Sequence, residues 1–304
     1  NTLLVSAIGI VFATILGFLI GIARLSKNWL LSRLAAVYIE TFRNIPLLLQ
    51  VFFWYFCVLR NLRGPRQSLS LADMFFLNVR GLYIPSPVTE PGFWVVGAAV
   101  VVAIVASWAV AKWAKKRQYL TGQTFPVFFS SLGLLVGLPL LAYLVTGMPM
   151  HWEYPELKGF NFRGGFTIIP ELFSLAVALT IFTAASIAEI VRSGILAVSK
   201  GQVEAAGALG LRGGLILRFV VIPQAMRVII PPLTSQFLNL VKNSSLATAV
   251  GYPDLVSIFM GSTLNQTGQA VEIISMTMLV YLTISLVTSA LMNIYNAKKA
   301  LVER

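Results

Sequence analysis

The chain has 304 residues, of which 57% are hydrophobic and only 11% are charged, whereas a soluble domain carries roughly 25% charged residues. This composition excludes a soluble protein and predicts an integral membrane protein. The net charge of +12 comes from basic residues that cluster beside apolar segments, which indicates membrane orientation rather than a nucleic-acid surface. With one cysteine, Cys57, and one histidine, His151, the sequence offers no Cys/His set for a metal.

Seven apolar segments approach or exceed the roughly 20 residues that a helix needs to cross a bilayer. In chain order these predicted spans are residues 2–23, 34–59, 92–111, 125–145, 172–188, 219–252 and 273–297. Pro46 predicts a bend in the second span. A basic turn, "KWAKKRQYLTGQ" (residues 112–123), separates the third from the fourth.

The sixth segment is interrupted by Arg227, Pro231, Pro232 and Lys242. We predict that the two prolines break the helix. Interrupted backbone at membrane depth is tolerated only where protein or a water-filled cavity covers it. The sequence therefore predicts that this segment lines a pathway.

The positions of the charges predict the orientation of the chain. Residues 24–33, 112–117, 192–218 and 298–304 together carry fourteen Lys and Arg, and the opposite side carries six together with seven acidic residues. The more basic side is expected to be cytoplasmic, so the N-terminal end lies outside and the C-terminus inside. The outer segments 60–91 and 147–170 are rich in Pro, Gly and aromatic residues and are predicted to be structured loops.

No catalytic motif is present. The sequence contains no GxxxxGK[ST] loop to cradle nucleotide phosphates, and no serine lies in a nucleophile-elbow setting. We predict a chain without catalytic residues, metal or cofactor. ATP hydrolysis, if the protein depends on it, must belong to another subunit.

The segment "KGQVEAAGALGL" (residues 200–211) lies on the predicted cytoplasmic side. Its helix formers, with glycines at both ends, predict a helix of about three turns. Ala205, Ala208 and Leu209 share one shallow face, and Gly207 and Gly210 permit close approach of another backbone. Composition leaves two interpretations open, an interfacial helix and a docking surface for another protein.

The order of these residues is more specific. "EAAGALG" (residues 204–210), followed after nine residues by "VVIP" (220–223), resembles the EAA loop of ATP-binding-cassette (ABC) importer permeases. Val220 and Ile222 stand where that pattern usually has Ile and Leu. Three further segments are similar to the polar amino acid uptake subfamily, which includes general L-amino acid importers. They are "YIETFRNIPLLLQ" (38–50), "AASIAEIVRSGI" (184–195) and residues 223–255.

The resemblance implies an all-α polytopic fold, the type I ABC importer transmembrane domain, with a five-helix core and a two-helix insertion. Residues 1–60 would form the first two core helices, 61–165 the insertion, and 166–304 the remaining core with its coupling loop at about 199–214. Since an inserted pair of helices is even in number, it preserves the side on which the coupling loop lies. The expected location is the bacterial inner membrane.

The implied function is that of a permease subunit in an ATP-driven amino acid importer. Glu204, Ala205, Ala206, Gly207 and Gly210 would form a coupling helix seated in a groove of a separate ATPase. The implied partners are two ATPases that bind ATP and Mg²⁺, an extracytoplasmic amino-acid-binding protein and a second permease, a shorter paralogue. An ion-gradient-driven transporter and a membrane-embedded enzyme are the alternative functions.

Seven residues are candidate substrate contacts because they place polar groups within or beside apolar segments. They are Ser186, Glu189, Asn239, Lys242, Asn243, Ser244 and Ser245. An ionisable residue in a membrane is a functional hypothesis by default, and a carboxylate suits the cationic α-amino group. The alternative for Glu189 is a structural ion pair with Arg192.

The segment "LVKNSSLATA" (residues 240–249) offers donors suited to a substrate carboxylate. The alternative is that Lys242 extends to the membrane surface while the hydroxyls cap a helix. Asn243 stands where the subfamily usually has an acidic residue. No charge is therefore expected from that position.

Overall fold

The computed structural model describes residues 1–299. It is mostly helical and divides into two compact units. The first consists of Asn1–Gly64, Asn78–Gly81 and Ile168–Arg304, and the second of Pro65–Leu77 and Leu82–Thr167. The C-terminus, for which the sequence predicts a cytoplasmic location, lies outside the described residues.

The helices follow the apolar segments. In chain order they are α1 (Thr2–Arg24), α2 (Trp29–Asn44), α3 (Leu47–Phe52), α4 (Phe93–Thr121), α5 (Val127–Val145), α6 (Pro170–Leu196), α7 (Lys200–Ala208), α8 (Gly213–Ile216), α9 (Ile222–Asn243), α10 (Leu264–Thr267) and α11 (Ala270–Lys299). Wider π-helical turns occupy Phe53–Val58, Leu217–Val221 and Ser257–Thr263, and tighter 3₁₀ turns occupy Leu59–Asn61, Pro65–Gln67 and Ser244–Val250. Within the described residues, six helical segments are long and apolar enough to cross a membrane, or seven if a bent pair is one span.

The bent pair is α2 with α3, and its bend of 105° confirms the prediction at Pro46. A residue that precedes proline is pushed out of the helical region, and Ile45 is extended with φ −89° and ψ 128°. Gln50 then donates from Nε2 to the carbonyl oxygens of Phe42 and Ile45, at 3.0 and 2.9 Å. The side chain thereby satisfies carbonyl groups that the end of α2 leaves unpaired.

The predicted break at Pro231 and Pro232 is wrong, because α9 continues through both prolines. The distorted segments lie instead at its two ends, at Leu217–Val221 and Ser244–Val250. Prolines are tolerated in membrane helices where neighbouring helices support the chain. Here Ile229, two residues before Pro231, is buried and packs against Gly194 of α6.

The core of the first unit forms where α1 packs against α6. Val5, Gly9, Ala13, Gly17 and Gly21 recur every fourth residue on α1, and all of them are buried. Small residues at this spacing let helix backbones approach closely. A Cβ added at Gly21 would lie 2.7 Å from the carbonyl oxygen of Ala188 on α6.

In the second unit, α4 and α5 form a helical hairpin. The predicted basic turn is wrong in its first ten residues, because α4 continues to Thr121. Lysine, arginine and glutamine are good helix formers. The helix ends only at Gly122, whose φ of +71° is left-handed.

The segments predicted as structured loops contain short strands in the described part of the chain. They are β1 (Leu69–Leu71), β2 (Phe75–Asn78), β3 (Gly81–Ile84), β4 (Ser86–Thr89), β5 (Met150–Glu153), β6 (Glu156–Lys158), β7 (Asn161–Arg163) and β8 (Phe166–Ile168). Strands β4 and β5 pair antiparallel, with Pro87 opposite Trp152. The short β6 and β7 also pair antiparallel, with Leu157 opposite Phe162.

Candidate coupling helix and substrate pocket

Helix α7 is held by a complete capping motif at its C-terminal end. Gly210 has a left-handed φ of +77°, which glycine adopts without strain. The amide of Gly210 donates to the carbonyl of Gly207 at 2.9 Å, and the amide of Leu211 donates to Ala206 at 3.3 Å. These two bonds define the Schellman motif. Gly210 therefore fixes where the helix ends.

The predicted coupling residues divide by exposure. Glu204, Ala205, Gly207 and Gly210 are exposed, whereas Ala206 is buried. A Cβ added at Gly207 or Gly210 would have no neighbour within 4 Å. The exposed surface of α7 is thus left uncovered by the described residues, and Ala206 faces the chain itself.

A side-chain hydrogen bond connects α7 to α9. The Nε2 group of Gln224 on α9 donates to Oε1 of Gln202 on α7. Gln224 was not among the predicted site residues, because its role depends on a contact across 22 residues of sequence. This bond joins the exposed helix α7 to the apolar helix α9.

Three of the seven substrate candidates meet in one cavity of about 350 Å³. Ser186 on α6 faces Asn239 and Asn243 on α9 across it. The remaining lining residues are Phe182, Thr183, Gln236 and Leu240. Thr183 and Gln236 were missed, although each lies three residues from a predicted contact on the same helix face. The polar part of the lining consists of amides and hydroxyls, and no charged side chain lines the cavity.

The other four candidates lie elsewhere. Lys242 and Ser245 line a second cavity, of about 760 Å³, together with residues of α11 such as Ser275. Ser244 is buried, and its hydroxyl donates to the carbonyl of Val241 at 2.7 Å. Ser245 likewise donates to the carbonyl of Lys242 at 2.7 Å. Both hydroxyls thus bond to carbonyls at the C-terminal end of α9.

Glu189 forms an ion pair with Arg192, which lies one helical turn further along α6. The Nε group of Arg192 donates to both of its carboxylate oxygens, at 3.1 and 3.0 Å, and Nη2 donates to Oε1 at 2.5 Å. Bidentate pairs of this kind are the stronger charge-assisted bonds. This geometry agrees with the alternative interpretation of Glu189, in which it forms a structural ion pair with Arg192.

A buried carboxylate that the site prediction did not include is Asp254, which is only 1% exposed. It accepts from the hydroxyl of Thr248 at 3.0 Å and from the amide of Ser257 at 2.8 Å. The sequence "PDL" carries the signal, since aspartate is a preferred residue before a helical segment. Asp254 organises the chain between the 3₁₀ turn and the following π-helical segment.

Comparison with known proteins identifies the family. The model of the "Binding-protein-dependent transport system inner membrane component" family matches residues 103–300. The whole chain is 61% identical to the putative amino-acid ABC transporter permease protein YhdX of Escherichia coli (strain K12), of which it covers 77%. It is 55% identical to the general L-amino acid transport system permease protein AapQ of Rhizobium johnstonii and covers 76% of it. The chain belongs to the amino-acid ABC transporter permeases.

Two further comparisons concern a more distant relative and the fold. The chain is 44% identical to the permease protein BztB of the glutamate/glutamine/aspartate/asparagine transport system of Rhodobacter capsulatus, with 93% of this chain and 73% of BztB covered. A solved structure described as "Crystal structure of an amino acid ABC transporter with histidines" aligns with a TM-score of 0.57 at 19% identity. The alignment covers 98% of this chain and 90% of that one. The predicted fold class, a helical polytopic ABC importer domain, is confirmed.

Family membership settles several sequence predictions. The protein is a multi-pass inner-membrane permease subunit of an ABC amino acid importer. Permeases of this family are not catalytic, and ATP binds to a separate ATPase partner. Coupling through the EAA loop is general to the family. The predicted resemblance to this family is thereby confirmed.

Proposed function

We propose that the exposed residues of α7, Glu204, Ala205, Gly207 and Gly210, are the ATPase-docking surface of this permease. Their lack of neighbours within the described chain supports this role, and it is the observation that carries the proposal. Ala206, which is buried, holds the helix against the permease. One side of α7 would therefore contact the ATPase, and the other side packs against the rest of the permease.

The second step of the proposal is transmission. Closure of two ATPases on ATP would move α7, and the bond between Gln202 and Gln224 would pass that movement to α9. Helix α9 carries Asn239 and Asn243, which line the polar cavity. A rigid helix that joins the docking surface to the cavity suits a rigid-body switch between inward-facing and outward-facing states.

We further propose that the cavity between α6 and α9 binds the backbone groups of an L-amino acid. Amides and hydroxyls supply acceptors for an ammonium group and donors for a carboxylate. Because no charged side chain lines the cavity, this site does not select for the charge of the substrate side chain. Relatives named for general L-amino acid transport and for glutamate and asparagine transport support such breadth.

The proposed assembly contains two ATPases, a second and shorter permease, and an extracytoplasmic binding protein. The N-terminal end is proposed to lie outside, which is supported by the concentration of basic residues on the side of α7. Residues 61–165 are proposed to be an insertion into the five-helix core. The separate compact unit formed by Pro65–Leu77 and Leu82–Thr167 supports that proposal.

Charge reversal tests the docking surface. Glu204→Arg is expected to lower both transport and substrate-stimulated ATP hydrolysis at least tenfold in the reconstituted importer, because a misplaced charge at a docking surface costs several kcal/mol. Glu153→Arg is the matched control, since Glu153 is also exposed and lies in the second unit. Unchanged ATP hydrolysis in Glu204→Arg would contradict the docking role.

Alanine substitution tests the cavity. Asn239→Ala is expected to raise the KM for transport by about tenfold, because a hydrogen bond to a charged group contributes roughly 1.5 kcal/mol or more. Asn265→Ala on α10 is the matched control. An equal KM in Asn239→Ala and the parent protein would remove Asn239 from the substrate site.

An internal deletion tests the insertion. Replacement of residues 65–167 by a flexible linker is expected to preserve co-purification with the ATPase, because α7 and its supporting helices belong to the other unit. Loss of co-purification from a deletion variant that still inserts in the membrane would show that this region is part of the core.

A further inference from the structure

The two helices of the α4–α5 hairpin differ in length. Helix α4 has 29 residues, which corresponds to about 43 Å, whereas the hydrocarbon core is about 30 Å thick. Helix α5, with 19 residues, is about 28 Å long. The last turns of α4 therefore extend beyond the apolar layer.

These last turns carry a row of basic and aromatic side chains. Trp108, Lys112, Lys115, Lys116 and Tyr119, which we call the basic stripe, recur at helical spacing and share one face of α4. All five are exposed. The two buried residues of α4, Ala103 and Ala114, lie on the opposite face by the same helical spacing. The stripe thus faces away from the partner helix.

No carboxylate of the hairpin balances these lysines. Residues 91–152 contain neither Asp nor Glu, and none of the ion pairs among residues 1–299 includes Lys112, Lys115 or Lys116. The C-terminal end of a helix offers only about half an elementary negative charge. Three positive charges therefore remain largely uncompensated within the hairpin.

The aromatic residues place this charge at the membrane surface. The ammonium nitrogen of Lys112 lies 3.7 Å from the centroid of the Trp108 ring. Tryptophan and tyrosine favour the headgroup level of a bilayer. Arg117, by contrast, is engaged within the hairpin, where it donates to Gln123 at 2.8 Å.

We propose that the basic stripe binds the phosphate headgroup of an anionic phospholipid. The lysines would donate to the phosphate oxygens while Trp108 packs beside the first carbons of the acyl chains. Clusters of basic residues next to a membrane helix attract anionic lipids in this way. The exposed, apolar surfaces of α4 and α5 would contact the acyl chains of the same lipid.

Native mass spectrometry of the assembled importer tests this site. The partly delipidated complex is titrated with phosphatidylglycerol or phosphatidylcholine, and the bound lipids are counted. The parent protein is expected to retain phosphatidylglycerol preferentially. Lys115→Gln/Lys116→Gln is expected to weaken that retention by on the order of 25-fold, since each basic residue contributes about fivefold.

Lys27→Gln/Arg33→Gln is the matched control, because it removes two exposed cations from the first unit. Equal losses in the two variants would indicate a general charge effect and contradict a site. Displacement of the lipid by millimolar inorganic phosphate would indicate a free-anion site and also contradict the proposal. If the stripe variant fails to assemble, the parent complex still tests the inference. Equal retention of phosphatidylglycerol and phosphatidylcholine by the parent complex would overturn it.

Discussion

Helices α6 and α5 are both apolar enough to cross a membrane, yet they pack very differently. Thirteen residues of α6 are buried, whereas none of α5 is. Glycines four residues apart occur in both places. Gly17 and Gly21 lie on α1, which packs against α6, and Gly133 and Gly137 lie on α5. Spacing alone therefore does not create a contact. A Cβ at Gly17 or Gly21 meets α6 within 3 Å, and one at Gly133 or Gly137 meets nothing within 4 Å.

The difference lies in what faces each glycine. Gly17 and Gly21 lie against the backbone carbonyls of Ala184 and Ala188 and against the side chains of Ile187 and Val191 on α6, so only a residue without a side chain fits there. Helix α6 also carries Ser186, which lines the polar cavity. The same dense packing that holds the core thus fixes the position of a proposed substrate contact. Helix α5 of the hairpin, by contrast, has no buried residue.

The largest effect is expected from a bulky residue at the tight contact. Gly21→Leu would place a side chain against the Ala188 carbonyl, which is backbone and has no rotamer to change. Overpacking of this kind costs about 3 kcal/mol, so the thermal unfolding temperature of the purified complex should fall sharply. Gly137→Leu is the control and should leave it unchanged. Equal unfolding temperatures for the two variants would contradict the claim that Gly21 is tightly packed and Gly137 is not.

A smaller effect is expected at the ion pair on α6. Glu189→Gln leaves Arg192 without its carboxylate, and because both side chains are about one-third exposed, the expected loss of stability is about 1 kcal/mol. The reversed pair Glu189→Arg/Arg192→Glu should recover most of this loss. Thermal unfolding measures both variants. A raised KM in Glu189→Gln with unaltered stability would instead make Glu189 a substrate contact.

A local effect is expected at the end of α7. Gly210→Ala forces a side chain into the left-handed region, at a cost of roughly 1 kcal/mol, although the added Cβ meets no neighbour. Faster amide exchange should appear at Gly210 and Leu211, which donate the capping bonds. Gly207→Ala, in the helix itself, is the control and should not accelerate exchange. Equal exchange in both variants would remove the capping role.

The smallest effect is expected on the hairpin. Gly133→Ala replaces a helical glycine at an open position, which should stabilise the complex by less than 1 kcal/mol. The unfolding temperature should stay the same or rise slightly. A clear destabilisation would show that α5 has a close neighbour in the assembled importer.

The sequence predicted the parts of the fold that depend on local chemistry. Apolar length located the spans, and Pro46 located the bend because a proline restricts the residue before it. Pro231 and Pro232 misled because α9 continues through both prolines, with the buried Ile229 packed against Gly194 of α6. The strands beside the hairpin were missed because their pairs join residues far apart, such as Pro87 and Trp152.

The candidate site was predictable to a similar degree. The EAA pattern located α7, but only the structure distinguishes the buried Ala206 from its exposed neighbours. Polar residue types identified seven candidate substrate contacts. Which of them share a cavity depends on how α6 faces α9, and no single segment contains that information. Ser186 and Asn239 meet there, while Ser244 bonds to its own helix.

Cysteine cross-linking measures the central claim most directly. In a Cys57→Ser background, Ala208→Cys on the exposed side of α7 is treated with a short bifunctional reagent in the assembled importer. The account predicts a cross-link to the ATPase subunit whose yield changes with ATP. Labelling of that cysteine only from the outer side of the membrane, or an intact complex with no cross-link to the ATPase, would contradict it.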